Sequence, residues 1–144
     1  MREIIIPDWP ITQKKYEVLA LQEFLKDKPF KHVLEIGTWQ GTSALLWAMM
    51  VAPVDGRVWC CDLSFNYGHF HSNLNGKDYY QALYRNTLYE KYVTELQGDS
   101  HDPKFISRVS QEVGPTPVDF LFIDGDHTYE GVRADFMNFY PFVR

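Results

Sequence analysis

The chain has 144 residues, the length of one ordinary domain, and its 45% of hydrophobic residues is enough to build a buried core. A net charge of −5 and the lack of any run of basic residues exclude the electrostatic signature of a nucleic-acid-binding protein. No signal-peptide pattern opens the sequence, and no apolar stretch approaches the roughly 18 residues of a membrane span. We therefore expect one domain, residues 1–144, in a cytoplasmic protein without nucleic-acid or membrane partners.

Predicted helices and strands alternate along the chain. Apolar residues at three- and four-residue spacings in residues 11–27 predict an amphipathic helix, which Lys28 and Pro29 close before the core begins at residue 30. The core then contains, in chain order, strand 32–37, helix 42–52, strand 57–62, a loop over 63–78, helix 79–92, strand 93–97, helix 103–112, strand 118–124 and helix 129–140. A stripe of four apolar residues indicates the last helix: Val132, Phe136, Phe139 and Tyr140.

This order predicts an α/β fold. Strands that are joined through helices form right-handed crossovers, so the sheet is expected to be parallel, and its apolar strands are expected to be covered by helices on both faces. The only two cysteines, Cys60 and Cys61, are neighbours on a predicted strand and point to opposite faces. We expect them to be unpaired packing residues, as in a reducing compartment.

Glycine and polar residues lie at the end of every predicted strand, where an open parallel sheet binds its ligands. They are residues 35–43 after the first strand, Asp62 at the end of the second, 98–101 after the third and 124–127 after the fourth. This concentration predicts a functional site at that edge of the sheet.

The first two strand ends favour a nucleoside cofactor. Gly37 and Gly41 flank a tight turn, where glycine either lets the backbone approach a ligand closely or merely shapes the turn. Asp62 is placed to hydrogen-bond both hydroxyls of a ribose, although a strand-end aspartate can also cap a helix or face solvent. The sequence has no Gly-x-Gly-x-x-Gly pattern here, so a dinucleotide is disfavoured. The carboxylate of Glu35 suits a cofactor with a cationic end.

The fourth strand end places two carboxylates and an imidazole within four residues, at Asp124, Asp126 and His127. Carboxylate oxygens are ligands for hard cations, and an imidazole can act as a general base. The alternative is that one aspartate caps the next helix and that His127 lies in its first turn.

Four segments together resemble the class I S-adenosylmethionine (SAM)-dependent methyltransferases. The closest likeness is to the branch that holds the catechol-type small-molecule O-methyltransferases and the cephalosporin-hydroxylase-like proteins. Segments 33–43 and 56–62 match its first two motifs, 98–100 resembles the loop beside the adenine, and 122–132 is very similar to the fourth-strand motif. The first and last motifs are specific, and the middle two are generic.

The resemblance implies a Rossmann-like three-layer fold and methyl transfer from SAM to the hydroxyl of a small-molecule acceptor, with Mg²⁺ as a further cofactor of some members. It places Asp124 at a Mg²⁺-binding position and His127, with Asp126, in the catalytic role. The residues implied to bind SAM are Glu35, Gly37, Trp39, Gly41 and Ser43 on its methionine and sugar part, Asp62 on the ribose, and Gly98, Asp99 and Ser100 on the adenine side.

The chain departs from the family pattern after its last predicted helix. Residues 139–144 stand where the connection to a fifth strand would begin, so we expect four strands in the order 3-2-1-4, with the later strands missing. The run 120–123 then forms an apolar edge, which we expect a homodimer or another partner to cover. Two alternatives to the methyltransferase remain. One is a SAM-binding module without turnover, and the other, which the Gly37–Gly41 spacing disfavours, is a nicotinamide-dependent oxidoreductase.

Overall fold

The computed structural model describes residues 13–39, 41–65 and 87–144. Helices and strands alternate in these ranges, and short 3₁₀ turns follow the second and the last helix at Ala52–Val54 and Tyr140–Phe142. In chain order the elements are α1 (Lys15–Leu25), β1 (His32–Ile36), α2 (Thr42–Val51), β2 (Arg57–Asp62), α3 (Thr87–Tyr92), β3 (Val93–Gln97), α4 (Pro103–Val113), β4 (Phe120–Ile123) and α5 (Tyr129–Phe139).

The four strands form one parallel sheet in the order β3-β2-β1-β4. In its register, Glu35 of β1 lies opposite Cys60 of β2 on one side and Phe122 of β4 on the other. The predicted α/β fold and its strand order are therefore confirmed. Because all strands run in one direction, the loops that follow them lie side by side along a single edge of the sheet.

Apolar side chains cover both faces of the sheet. On one face, Val33 of β1 packs with Leu25 of α1 and Trp47 of α2. On the other face, Leu34 of β1 packs with side chains of α4 and α5, among them Phe139. Alternate residues of β1 thus face opposite helical layers, as the pleat of a strand requires.

The adjacent cysteines follow the same alternation. Cys60 packs with Ala44 and Leu45 of α2, whereas Cys61 belongs to the core on the face of α4 and α5. Both thiols are free and buried, which confirms that they are unpaired packing residues.

Several predicted boundaries differ from the observed ones. The predicted helix 11–27 is observed as Lys15–Leu25, and residues 11–12 lie outside the described residues. Of the predicted loop 63–78 and helix 79–92, the stretch 66–86 also lies outside them, and the described end of that helix is α3. The predicted strand 118–124 is shorter, because Val118 forms an isolated parallel bridge with Val143.

The last helix packs on the sheet with a side that its sequence pattern did not indicate. Three residues of the predicted apolar stripe lie exposed, with Val132 at 44%, Phe136 at 47% and Tyr140 at 57% of their surface accessible. The fourth residue of the stripe, Phe139, is buried, together with Gly131 and Asp135, which lie one position before Val132 and Phe136. The helix is therefore turned by about 100° from an orientation that would bury its apolar stripe, and it presents a carboxylate to the interior.

The outer side of β4 is the edge of the sheet on which a partner was predicted. At its beginning, the N–H of Val118 donates to the carbonyl of Phe142 (3.1 Å), and the N–H of Arg144 donates to the carbonyl of Val118 (3.2 Å). Within the described ranges, no strand pairs with the outer edge of Phe120–Ile123, and its covering stays a prediction. None of the helices in these ranges is long and apolar enough to cross a membrane.

Candidate functional site

A cleft of about 610 Å³ opens where the four strands end. We call it the strand-end cleft, and it brings together nine of the residues that were predicted to form the site. Its wall consists of Ile36, Gly37, Trp39, Cys61, Asp62, Leu63, Gly98, Asp99, Ser100, His101, Asp124, Gly125, Asp126 and His127.

A smaller cavity of about 270 Å³ adjoins the strand-end cleft. It shares Gly37, Trp39, Asp124 and His127 with the cleft and adds Ser43, a further predicted site residue, at the beginning of α2. Two predicted site residues, Glu35 and Gly41, line neither space.

The loop between β1 and α2 follows an unusual backbone path. Gly37 has a φ of +84°, and a Cβ atom there would lie 2.4 Å from backbone atoms of Asp124 and Gly125, so only glycine lets the ends of β1 and β4 approach so closely. Gly41 has a φ of +73° and caps α2. Trp39 also has a positive φ, of 47°, which is uncommon for a bulky side chain and marks local strain at the wall of both cavities.

Asp62 fastens this loop to the end of β2. Its Oδ2 accepts hydrogen bonds from the backbone N–H groups of Thr38 (3.0 Å) and Trp39 (2.7 Å), and its Oδ1 accepts one from Ser64 (3.1 Å). The carboxylate is therefore fixed on the wall of the cleft before any ligand binds. Since each carboxylate oxygen can accept two hydrogen bonds, Asp62 can still accept hydrogen bonds from a ligand.

Glu35 lies behind the loop and not on the wall of the cleft. Its side chain is fully buried, where Oε2 accepts a hydrogen bond from the Thr38 hydroxyl (2.7 Å) and Oε1 accepts one from the indole of Trp47 (3.0 Å). Burial raises the pKa of Glu35 to about 7, against hydrogen bonds from Ser43, Thr38 and Trp47 that lower it. In the structure this carboxyl group joins β1, the loop and α2, and its predicted contact with the cofactor stays a prediction.

Asp124 and His127 form a pair on the other side of the cleft. Oδ1 of Asp124 lies 3.6 Å from Nε2 of His127, and Oδ2 accepts a hydrogen bond from the amide of Gln13 (2.9 Å). His127 is 79% exposed in its side chain, so it is open to a ligand and only loosely held.

Asp126 shapes the turn that starts α5. Its Oδ1 accepts a hydrogen bond from the N–H of Thr128 (2.8 Å), and Thr128 in turn caps α5 by accepting from the N–H of Gly131 (3.0 Å). The hydrogen bond from the Thr128 backbone is the main cause that holds the pKa of Asp126 below its ordinary value, and His101 and His127 act in the same direction. A carboxylate of lowered pKa is a weak proton acceptor, so within the predicted catalytic pair His127 is the better base.

Among residues 13–39, 41–65 and 87–144, no three His, Cys, Asp or Glu side chains lie close enough to hold a metal ion. Magnesium prefers six oxygen ligands in octahedral geometry. Asp124 alone, with one oxygen bonded to Gln13 and the other beside His127, does not provide that set.

Two residues of this region were not among the predicted site residues. His101 lines the cleft directly after Ser100, and its Nε2 lies 3.2 Å from Oδ1 of Asp135, which is fully buried on α5. The position of His101 at a strand end was a usable signal. Asp135 gave none, because it lies inside a segment whose apolar spacing indicated only a helix.

A parallel Rossmann-like sheet with its cleft at the strand ends is the architecture of nucleotide- and nucleoside-binding α/β proteins. Residues 34–144 match the family model described as a methyltransferase domain, and the chain belongs to this family.

The proteins that are similar to the chain include the following two. It is 27% identical over 112 residues to the uncharacterized protein y4gI of Sinorhizobium fredii (strain NBRC 101917 / NGR234), with 77% of this chain but 12% of that protein covered. A crystal structure from Staphylococcus aureus, of a protein assigned as a caffeoyl-CoA O-methyltransferase, superposes with a TM-score of 0.62 at 19% identity. That match covers 94% of this chain and 55% of the other, so the chain spans about half the length of that structure. It confirms the Rossmann-like methyltransferase fold.

Proposed function

We propose that the chain binds SAM in the strand-end cleft and transfers its methyl group to the hydroxyl of a small molecule. The observation that carries the proposal is the Asp62 carboxylate, which two backbone N–H groups of the β1–α2 loop hold on the cleft wall in a chain of the methyltransferase family. The four segments that carry the resemblance to O-methyltransferases contribute residues to this edge of the sheet, and that resemblance supports a hydroxyl group as the methyl acceptor.

The charge of the cleft suits a cationic cofactor. Four carboxylates line it, at Asp62, Asp99, Asp124 and Asp126, and no lysine or arginine occurs among its described wall residues. A positively charged sulfonium or ammonium group is favoured beside such carboxylates, whereas the phosphates of a dinucleotide would be repelled. This composition supports SAM over a nicotinamide cofactor.

The strand order suggests how the parts of the cofactor are distributed. With the ribose hydroxyls on Asp62 at the end of β2, the adenine falls on the side of β3, where Gly98, Asp99 and Ser100 lie. The methionine part falls on the side of Gly37, Trp39 and Ser43. Gly41 shapes the turn and Glu35 supports it from behind.

The bound cofactor would supply an activated methyl group on a charged sulfur. On this chain, Nδ1 or Nε2 of His127 would accept the proton of the acceptor hydroxyl, and the carboxylate of Asp124 would stabilise the resulting imidazolium. Asp126 would hold the turn that presents His127. Magnesium is left out of the proposal, because the described residues do not provide its ligand set.

Calorimetric titration of the 144-residue chain with SAM and S-adenosylhomocysteine tests the proposal. We expect binding that persists in EDTA and that Asp62→Ala weakens by roughly 1–3 kcal/mol, the range for losing charge-assisted hydrogen bonds. The matched control is Asp119→Ala at the opposite edge of the sheet. Oδ2 of Asp119 accepts from the N–H groups of Lys31 (2.8 Å) and His32 (3.0 Å), so this variant removes equivalent bonds away from the cleft.

Each outcome decides between the candidate functions. No binding of either compound to a folded sample would refute the proposal. Binding without turnover over a broad panel of hydroxyl compounds would favour the SAM-binding module instead. A clear fluorescence change on titration with NAD(H) would favour a nicotinamide-dependent oxidoreductase instead.

A further inference from the structure

A third cavity, of about 310 Å³, lies between α1, α2 and β4. We call it the α1–α2 pocket. It shares Gln13, Thr42, Ser43 and Asp124 with the smaller cavity beside the cleft, but the rest of its described wall is mostly apolar. Because no lysine or arginine occurs among its described wall residues, the pocket suits an apolar occupant. The apolar residues of the wall are Val18, Leu21, Leu46, Trp47, Phe122 and Ile123.

The α1–α2 pocket continues the hydrophobic core on this face of the sheet. Leu46 and Trp47 of α2 are buried members of that core, whereas Leu21 of α1 and Phe122 of β4 are only partly buried against it. Apolar side chains that are placed in the pocket would remove more of the surface of Leu21 and Phe122 from water, which stabilises the folded state.

The twelve residues that precede Gln13 contain an apolar run. Ile4, Ile5 and Ile6 follow one another and stand directly before Pro7. β-branched residues favour extended backbone, and so does the position before a proline. In an extended backbone Ile4 and Ile6 point to one side and Ile5 points to the other. The sequence therefore predicts a short segment with two isoleucine side chains on the same side.

This segment is joined to the wall of the α1–α2 pocket. Gln13, the first described residue, lines the pocket, and its side-chain amide donates a hydrogen bond to Oδ2 of Asp124 (2.9 Å). Ile6 stands seven residues before Gln13, so an extended chain places it at most about 25 Å from that residue. The whole of α1, with 11 residues, is only about 16 Å long. The pocket is therefore within reach of Ile4 and Ile6.

We propose that the α1–α2 pocket is the docking site for residues 4–6 of the same chain, with Ile4 and Ile6 in the pocket and Ile5 pointing away from it. The pocket has the volume of about ten water molecules, which suits the two side chains of four carbon atoms each. A tether as short as residues 7–12 gives the segment an effective concentration of about 1 mM or more. The chain's own segment thus competes favourably with that of a second copy at micromolar protein concentration.

A thiol on the wall of the pocket tests whether the segment covers it. In Leu21→Cys the new thiol lies on that wall, whereas the natural Cys60 and Cys61 are buried and react slowly. Adding Ile6→Asp to this variant should raise the rate of thiol labelling at least about tenfold, because an aspartate is not stable in an apolar pocket and the segment would leave it. The matched control adds Ile5→Asp, on the outward side of the segment, and should keep the rate within about twofold.

Disulfide formation identifies the occupant. In Ile6→Cys/Leu21→Cys, oxidation with copper–phenanthroline should join the two cysteines within one chain, since docking brings their Cα atoms within the roughly 7 Å that a disulfide spans. The control is Ile6→Cys/Phe24→Cys, which places the second thiol on the exposed side of α1, where Phe24 is 66% accessible. This control should form little of the product. A disulfide between two chains in the first variant would overturn the inference in favour of a second copy.

The remaining outcomes also decide. Equal labelling rates after Ile5→Asp and Ile6→Asp would overturn the inference. A Leu21→Cys thiol that is labelled as fast as that of Phe24→Cys would overturn it too, and would leave the pocket to the apolar part of a small molecule. If Leu21→Cys does not fold, NMR of the wild-type chain decides. Nuclear Overhauser effects between the methyl groups of Ile4 or Ile6 and the ring of Phe122 support the inference, and their absence overturns it.

Discussion

The buried carboxyl group of Glu35 should make the stability of the protein depend on pH in a direction opposite to that of most carboxylates. Burial raises the pKa of Glu35 from its ordinary 4.5 to about 7. As pH rises from 4.5, the unfolded chain releases this proton first, and the folded chain keeps it until about pH 7. The folded state therefore binds more protons in this window, and the free energy of unfolding falls as pH rises. Above about pH 7 both states are ionised, and the contribution of Glu35 stays constant.

The size of the effect follows from the two pKa values. At about 1.4 kcal/mol for each pH step, the distance from 4.5 to about 7 corresponds to a loss of about 3 kcal/mol. Glu35→Gln should abolish it, because a neutral amide of the same shape can accept from Trp47 and donate to the Thr38 hydroxyl oxygen. The difference between the unfolding free energies of wild type and variant should thus fall by about 3 kcal/mol between pH 4.5 and 7.

Urea unfolding at a series of pH values measures this difference, and other titrating groups cancel between the two proteins. The control is Glu95→Gln, which removes a half-buried carboxylate of β3 that accepts a hydrogen bond from Tyr89 (2.7 Å). Because Glu95→Gln keeps Glu35, its free energy of unfolding should still show the loss that Glu35 causes between pH 4.5 and 7. A difference between wild type and Glu35→Gln that stays flat from pH 4.5 to 8, or that rises, would refute the reasoning.

Two further predictions concern the backbone of the site and the edge of the sheet. Gly37→Ala should lower the free energy of unfolding by about 2–6 kcal/mol through strain and overlap. Gly114 also has a positive φ, of +60°, but a Cβ atom there would lie 3.8 Å from the carbonyl oxygen of Gln111, so Gly114→Ala should lower it by about 1–3 kcal/mol through strain alone. Equal losses in urea unfolding would contradict the close approach at Gly37. A second copy on the outer edge of β4 should give a dimer in a concentration series by light scattering, and a strictly monomeric sample would contradict it.

The sequence predicts the order of elements because each depends on a local pattern. The apolar runs of the strands and the polar residues at their ends are read without knowledge of long-range contacts, and the parallel sheet follows from their alternation with helices. The same reasoning brought the three aspartates Asp62, Asp124 and Asp126 to one edge, and the cleft contains all three.

The orientation of α5 depends instead on contacts between distant residues. A Cβ atom on Gly131 would lie 2.1 Å from Cγ of Asp126, so the turn before the helix requires that glycine on the inner side. Asp135 and Phe139 then follow it inward at four-residue spacing, and the more apolar stripe is left exposed. Periodicity shows that a helix has an apolar stripe, but packing decides whether that stripe is buried.

The position of Glu35 could not be predicted from the sequence for a related reason. Its spacing from Gly37 places it near the loop, but the pleat of β1 directs it to the face of α2, where Trp47 meets it. The sequence shows an acid beside a glycine turn and does not show on which side of the sheet the acid lies. In the structure the carboxyl group of Glu35 holds the loop through Thr38 and Trp47, and its contact with a ligand stays a prediction.

Asp62 shows why substitutions in this cleft have two consequences. The carboxylate that would hold the ribose is also the group that anchors the N–H groups of Thr38 and Trp39, so Asp62→Ala removes a ligand contact and releases the loop. Asp62→Asn keeps the two contacts with the β1–α2 loop, because its amide oxygen can accept from both N–H groups, while the charge is lost and its NH₂ group can no longer accept from the N–H of Ser64. If loop anchoring dominates, the asparagine variant should bind SAM nearly as the wild type does. If the charged contact with the ribose dominates, both variants should be weakened alike.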